Sequence, residues 1–505
     1  MSDYYAKAAV RKSLLHFMCG KGLSAVVSFL TLIALARWIT PEAYGAYVAL
    51  LALQSGLLAL SSLGIETTAE RFLPEMRTRY AGDELAGFVI AALATRLASL
   101  MLLTCILWFA AQPVVSLAGL ERHVDVFRLW MVVIALTGML SFAIIMLEAM
   151  LHQRFAQRCM SIYVCAKLAL LAIAYQAQYL QLVGLVTVEV LSTAIAILAA
   201  IWSLIRCFPC SELGNGWQMV LENRGRMARF AFFNYIAQAV FLLFNADVMK
   251  LFVSKLLGAV QSARFGFAYS LAETVQRYLP AVLLLRLIKP VFVSRYTTTG
   301  DFRQLNVMAQ IILKLNLLML VPAIAFAAVF GGDLLSILSG GKYSDAHWVL
   351  VGVLSLLIPS SHQLVLSLMA GTVEENAMQL YAGIASTIAF PCALLLIPQW
   401  GPLGAVAASG LSGVVYNFAA IFYLRRAGFD YKADLRGVSK LMVAGVFLYG
   451  LGAGFHYFAE GWGAKAAIAT IGLAGYVALV RFMSVFSVEE RASINSLLPK
   501  RLFVF

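Results

Sequence analysis

Charge is scarce in this chain. Only 12% of its residues are Asp, Glu, Lys or Arg, against roughly 25% in a water-soluble domain. Hydrophobic residues make up 62% of the 505 positions, and the mean hydropathy is +0.86. This composition excludes a soluble enzyme, a disordered chain and a small disulfide scaffold. Cysteine is also sparse, at seven residues. Cys19, Cys105, Cys159, Cys165 and Cys392 lie within apolar runs, as small core residues do. Cys207 and Cys210 form a lone Cys-Phe-Pro-Cys, with no second pair and no nearby histidine to complete a zinc site. A phosphate-binding loop is missing as well. Gly20-Lys21 and Gly341-Lys342 have Leu15 and Ser336 where such a loop needs its first glycine. The histidines are scattered without metal-ligand spacing, and no nucleophile motif appears. The chain is therefore read as a non-enzyme that needs no cofactor and no metal.

Long apolar runs are what the sequence does have. A helical span needs about 20 apolar residues. Fourteen such spans are expected, at 14–38, 43–65, 86–109, 126–147, 159–178, 182–205, 229–253, 264–288, 306–330, 346–370, 380–397, 403–424, 439–459 and 464–486. The first is too long for the core of a cleaved signal peptide and is read as retained. The net charge of +13 then reports topology rather than nucleic-acid binding. With the N-terminus inside, 22 Lys and Arg fall in cytoplasmic segments, 7 outside and 9 within spans. That asymmetry puts both termini in the cytoplasm. The loops are too short to hold an extramembrane domain, so function is expected within or beside the bilayer.

The chain also resembles itself when residue 184 is laid on residue 404 and the rest follows without gaps. Residues 184–206 and 404–426 share nine of 23 positions, among them Gly184/Gly404, Ser192/Ser412 and Arg206/Arg426. Six spans lie in each copy, and an even number makes the repeat parallel. The expected architecture is an all-α integral membrane protein of 14 transmembrane helices. Two six-helix lobes, 1–206 and 229–426, face a central cleft. A cytoplasmic linker, 207–228, joins them, and 427–505 adds two helices and a cytoplasmic tail.

Polar side chains inside spans mark the candidate site, because a charge in hydrocarbon is costly unless it faces protein or water. Arg286, Lys289 and Arg481 lie near helix ends and reach the headgroups, and Lys250 lies one turn from Asp247. In the eighth span Ser270, Glu273, Thr274 and Arg277 share a face, with Pro280 set to kink the helix below them. This face reads either as a self-neutralising pair or as an anion site at Arg277 beside a protonatable carboxylate at Glu273. Asn234, Gln238 and Asn245 form a stripe on the seventh span. Lys21, Ser24, Ser28 and Thr31 form one on the first. Arg96 and Lys167 are mid-span cations with no carboxylate on their own helices, so each needs a partner elsewhere or faces a lumen. Glu66 lies near a helix end, and Glu189 has no basic neighbour on its helix.

The run Ala34-Leu35-Ala36-Arg37-Trp38-Ile39-Thr40-Pro41-Glu42-Ala43-Tyr44-Gly45-Ala46-Tyr47 resembles the segment joining the first two helices of Wzx-type polysaccharide flippases. These belong to the multidrug/oligosaccharidyl-lipid/polysaccharide exporter superfamily. Leu63-Gly64 through Glu75 and the turn Leu338–Tyr343 are similar to further segments of that family. The resemblance implies a flippase of the bacterial inner membrane. Its partner would be a lipid-linked oligosaccharide, normally an undecaprenyl-diphosphate sugar, moved by alternating access driven by an ion gradient. Polymer-assembly proteins would be further partners, and nucleic acid would not. In this reading Lys21, Arg96, Asn234, Gln238 and Arg277 bind substrate and Glu273 couples the ion. A lipid II flippase, a drug or metabolite exporter of the same superfamily, and a membrane glycosyltransferase or ligase stay open as alternatives.

Overall fold

The computed structural model describes residues 7–79, 83–207, 216–242, 246–282, 300–375, 377–456 and 461–487, with isolated positions 292, 296, 490, 491 and 495. No strand occurs among them. Eleven described helices are long and apolar enough to cross a membrane, and they coincide with the expected spans two to six and nine to fourteen. The first span falls on α1 (Lys7–Trp38). The seventh is shared between α9 (Gly216–Leu242) and α10 (Ala246–Leu257). The eighth falls on α11 (Ala259–Arg277), which carries Arg264, Glu273 and Arg277 on one helix. Polar content makes α11 less apolar than the other described spans. Leu198, Phe418 and Ile471 are among many large apolar side chains left exposed, as suits a surface solvated by lipid.

The chain divides into two compact units, Met1–Ala263 and Arg264–Phe505. The first holds α1 to α10 and the start of α11. Its further helices are α2 (Pro41–Ser61), α3 (Ile65–Arg79), α4 (Asp83–Phe109), α5 (Ala111–Leu117), α6 (Val124–Ala149), α7 (Gln153–Gln176) and α8 (Leu182–Cys207). Here α1 packs on α7, α7 on α8, α6 on α8, α4 on α9 and α2 on α10. The second unit continues α11 into α12 (Phe302–Ser339), α13 (His347–Thr372), α14 (Ala377–Ser386), α15 (Ala389–Trp400), α16 (Pro402–Arg426), α17 (Leu435–His456) and α18 (Gly461–Phe482). In it α12 packs on α13 and α17, α13 on α16, and α17 on α18.

Local chemistry explains the start of α2. Thr40 is its N-cap, accepting the Ala43 N–H at 3.4 Å, with Pro41 in the first turn. Gly45 follows because the backbone of Ala259 lies against it: a Cβ there would sit 1.7 Å from the Ala259 carbonyl oxygen. The Thr-Pro-Glu-Ala-Tyr-Gly sequence thus serves a helix start and a close backbone crossing.

The internal repeat returns in three dimensions. Gly184 and Gly404 each open a helix against the backbone just before it, at Tyr179 and Leu396, where a Cβ would come within 2.2 Å of a carbonyl oxygen. In the first unit Arg96 donates to the Ser61 carbonyl at 2.7 Å. In the second, the Asn316 Oδ1 accepts the Ala281 N–H at 2.8 Å. Ser61 and Ala281 are related by the same offset as Gly184 and Gly404, and so are Arg96 and Asn316. Both contacts sit where a helix breaks. In the first unit Leu63 and Gly64 turn to positive φ; in the second, Pro280 follows the end of α11 at Arg277, the interruption its missing N–H favours.

Candidate functional site

The break between α2 and α3 gathers three of the residues marked in the sequence. Arg96 has no exposed surface. Its guanidinium lies 2.8 Å from Glu66 and bonds the carbonyl and hydroxyl of Ser61. Ser62 donates to the Gln238 amide oxygen at 2.9 Å. Gly64 lets α9 approach, since a Cβ there would meet the Ala231 carbonyl oxygen at 2.2 Å. Asn234, one turn from Gln238, donates to Phe230 on its own helix. Arg96, Glu66 and Gln238 therefore meet around one helix junction of the first unit, while Asn234 bonds within α9. Glu273 and Arg277 lie in the second unit, 4.0 Å apart, with Arg277 65% exposed. The side chain of Lys21, and Asn245, Arg286, Lys289 and Cys210 entirely, lie outside the described residues.

Near Asn234 the first unit opens a cavity of about 580 Å³, lined by Arg71, Phe72, Arg226, Arg229, Phe230 and Phe233 together with Asn234. Arg226 forks onto Glu75 at 2.8 and 3.2 Å, and Arg71 reaches the same carboxylate at 3.2 Å. The Arg226 guanidinium lies over the Phe72 ring at 4.9 Å, and Phe72 meets Phe230 edge-on at 5.6 Å. Three arginines line the cavity, and one carboxylate is shared by two of them, so the cavity is electropositive with aromatic walls. Such a lining suits a phosphate group attached to an apolar chain. None of the three arginines falls within an expected span apart from Arg229 at its edge, and a search confined to in-span charges passes over them. The signal that finds them is a basic cluster on two segments far apart in the chain.

The other mid-span cations have partners across helices. Lys167 of α7 lies 2.5 Å from Glu189 of α8 and bonds the Tyr47 hydroxyl at 2.9 Å; Tyr47 and Tyr163 both donate to Glu189. Lys250 pairs with Asp247 at 2.8 Å. Lys314 is buried between Asp434 and Glu490, each at 2.7 Å. In α1, Ser24 bonds Ser161 and Gln157 of α7, so this part of the polar stripe joins two helices.

Many apolar helices in two units, with polar contacts between helices, define a polytopic membrane fold. The structure is similar to the lipid II flippase MurJ in an inward closed conformation, with a TM-score of 0.65, 12% identity and coverage of 93% of this chain and 98% of that one. It is similar to an inward-facing MATE-family multidrug resistance transporter of the MOP superfamily, with a TM-score of 0.64, 13% identity and coverage of 81% and 96%. It is also similar to the MATE transporter VcmN of Vibrio cholerae, with a TM-score of 0.56, 16% identity and coverage of 83% and 98%. No curated protein matches by sequence. The family model for polysaccharide biosynthesis protein matches residues 10–295. The chain belongs to that family, in agreement with the resemblance of its Ala34–Tyr47 run to Wzx-type flippases. It is a multi-pass membrane protein with the fold of flippases and exporters.

Proposed function

We propose that this chain flips an undecaprenyl-diphosphate-linked oligosaccharide from the cytoplasmic to the outer leaflet of the bacterial inner membrane, for surface or exopolysaccharide assembly. The observation that carries this reading is the cavity of three arginines and three phenylalanines between α3 and α9. A diphosphate on a polyprenyl chain is both an anion and a lipid, and the cavity offers partners for both. The basic segment that contains Arg224 and Arg226 favours the cytoplasmic side, where a substrate made inside would be loaded. The six-helix lobes 1–206 and 229–426, linked through 207–228, would rock in alternating access around the substrate. Lys21, Arg96, Asn234, Gln238 and Arg277 are carried forward as candidate contacts, with Asn234 lining the basic cavity and Glu273 as the ion-coupling group. Lipid II also carries a diphosphate, and a likeness to MurJ keeps a lipid II substrate as the second reading.

Purified protein in liposomes, with a fluorescent undecaprenyl-diphosphate oligosaccharide, tests the proposal. Transfer between leaflets is expected, and Arg229→Ala should slow it about 10-fold, the lower end of what a charge-assisted phosphate contact is worth. Full transfer by the Arg71→Ala, Arg226→Ala, Arg229→Ala triple variant would overturn the role of the cavity. Preference for lipid II over the oligosaccharide lipid would select the second reading.

A further inference from the structure

The second unit contains a different kind of cavity. It measures about 350 Å³ and is lined by Gln276, Asn316, Ser360, Ser361, Gln363 and Ser367, with leucines and a valine between them. No charged residue is among the described residues that line it, which sets it apart from the arginine cavity and makes it unsuited to a phosphate. Its amides and hydroxyls supply donors and acceptors in several directions. Leu279, Leu357 and Leu364 supply apolar surface. This mixture is the complement of a neutral sugar ring, which presents hydroxyls at its rim and C–H groups on its faces.

Asn316 is the observation that points to a ligand. It has no exposed surface. Its Oδ1 takes the Ala281 N–H, while its Nδ2 has no hydrogen-bond partner among the described residues. Bridging the helix break needs an acceptor only. Arg96, at the repeat-related position, turns its donors to Ser61 and Glu66. Asn316 brings an amide donor that none of the described residues uses. An unpaired buried donor is costly, and lipid cannot satisfy it.

We propose that this cavity is a sugar-binding subsite that receives part of the glycan of the lipid-linked substrate, with the Asn316 amide donating to a sugar oxygen and Gln276, Ser360 and Gln363 completing the contacts. The assignment rests on the flippase reading above. The volume is at the small end for a ligand site, so the cavity holds a portion of the glycan rather than a whole repeat unit.

The test uses the full chain in nanodiscs and two probes. One is the undecaprenyl-diphosphate-linked glycan extracted from cells depleted of this protein; the other is undecaprenyl diphosphate, the same lipid without sugar. Wild-type protein should bind the glycan lipid more tightly. Gln276→Leu, Ser360→Ala and Asn316→Asp, which keeps the acceptor for Ala281, should each weaken glycan-lipid binding about three- to tenfold. None should change binding of undecaprenyl diphosphate. Equal binding of the two lipids by wild-type protein, or an unchanged ratio in all three variants, overturns the subsite and leaves the flippase reading standing. Failure of wild-type protein to bind either lipid overturns the flippase reading itself.

Discussion

Arg96 is a fully buried guanidinium whose neighbours come from two other segments: Glu66 at 2.8 Å and the Ser61 carbonyl at 2.7 Å. Removing one partner of a buried ion pair costs roughly 3–5 kcal/mol, because the other charge is left without compensation. Glu66 is 27% exposed, so the loss should lie toward the lower end. Arg96→Met is expected to lower the thermal midpoint of the purified protein, and adding Glu66→Gln should recover part of the loss. A midpoint unchanged by Arg96→Met would show that the clamp does not hold the α2–α3 junction. At this scale the sequence is half legible. It marks Arg96 and Lys167 as cations that need partners, because neither has a carboxylate within its own expected span. It does not name Glu66 or Glu189, because those partners are set by how helices pack, and one sequence carries no record of pairing. Glu189 is passed over for the same reason: its basic neighbour stands on α7, not on α8.

Between elements, Lys314 ties three segments together. Its ammonium, in the first half of α12, meets Asp434 just before α17 and Glu490 after α18, and it also bonds the Val485 carbonyl. Asp434 caps α17 by accepting the Gly437 N–H at 2.9 Å, and a Cβ at Gly437 would collide with that carboxylate at 2.4 Å. Burial pushes the Asp434 carboxyl up, but the Lys314 ammonium and the Gly437 N–H outweigh it and hold it below the usual carboxylate value. A carboxyl lowered on folding stabilises the folded state above its unfolded value, and that stability is lost as pH falls through the lower folded value. The anchoring of α17 to Lys314 should therefore persist at neutral pH and weaken below about pH 4. Hydrogen exchange over Leu435–His456 at pH 7 and pH 3.5 checks this; equal protection at both would refute it. Sequence alone offers no reading of Lys314, since both carboxylates lie far along the chain. The spans are readable as apolar runs, yet the turn that divides the eleventh between α14 and α15 is not, because hydropathy does not register a break in a continuous apolar stretch.

For the whole molecule, the internal repeat is the feature the sequence displays most fully: it lays Gly184 on Gly404, and in the structure each opens a helix against the backbone just before it. The Lys and Arg asymmetry makes a further prediction, that cysteines introduced in 206–229 and 425–440 react only with reagents that enter the cytoplasm; labelling from outside would invert the topology. The proposed flipping, if driven against a gradient, needs a source of work, and no nucleotide-binding loop is present in the sequence. Glu273 and Arg277 offer a physical link. Their 4.0 Å separation is looser than the 2.8 Å of the Arg96 pair, and the Arg277 side chain is 65% exposed. In the proposed coupling a phosphate and Glu273 compete for the Arg277 guanidinium, and linkage makes that competition reciprocal. A proton gradient that protonates Glu273 on one side of the membrane would then bias substrate occupancy on that side. Glu273→Gln fixes the neutral state, so flux in proteoliposomes should continue downhill but lose its response to an imposed pH gradient. Replacing sodium with potassium on both sides should leave the wild-type response intact. A Glu273→Gln protein that answers the pH gradient as wild type does would remove Glu273 from the coupling mechanism.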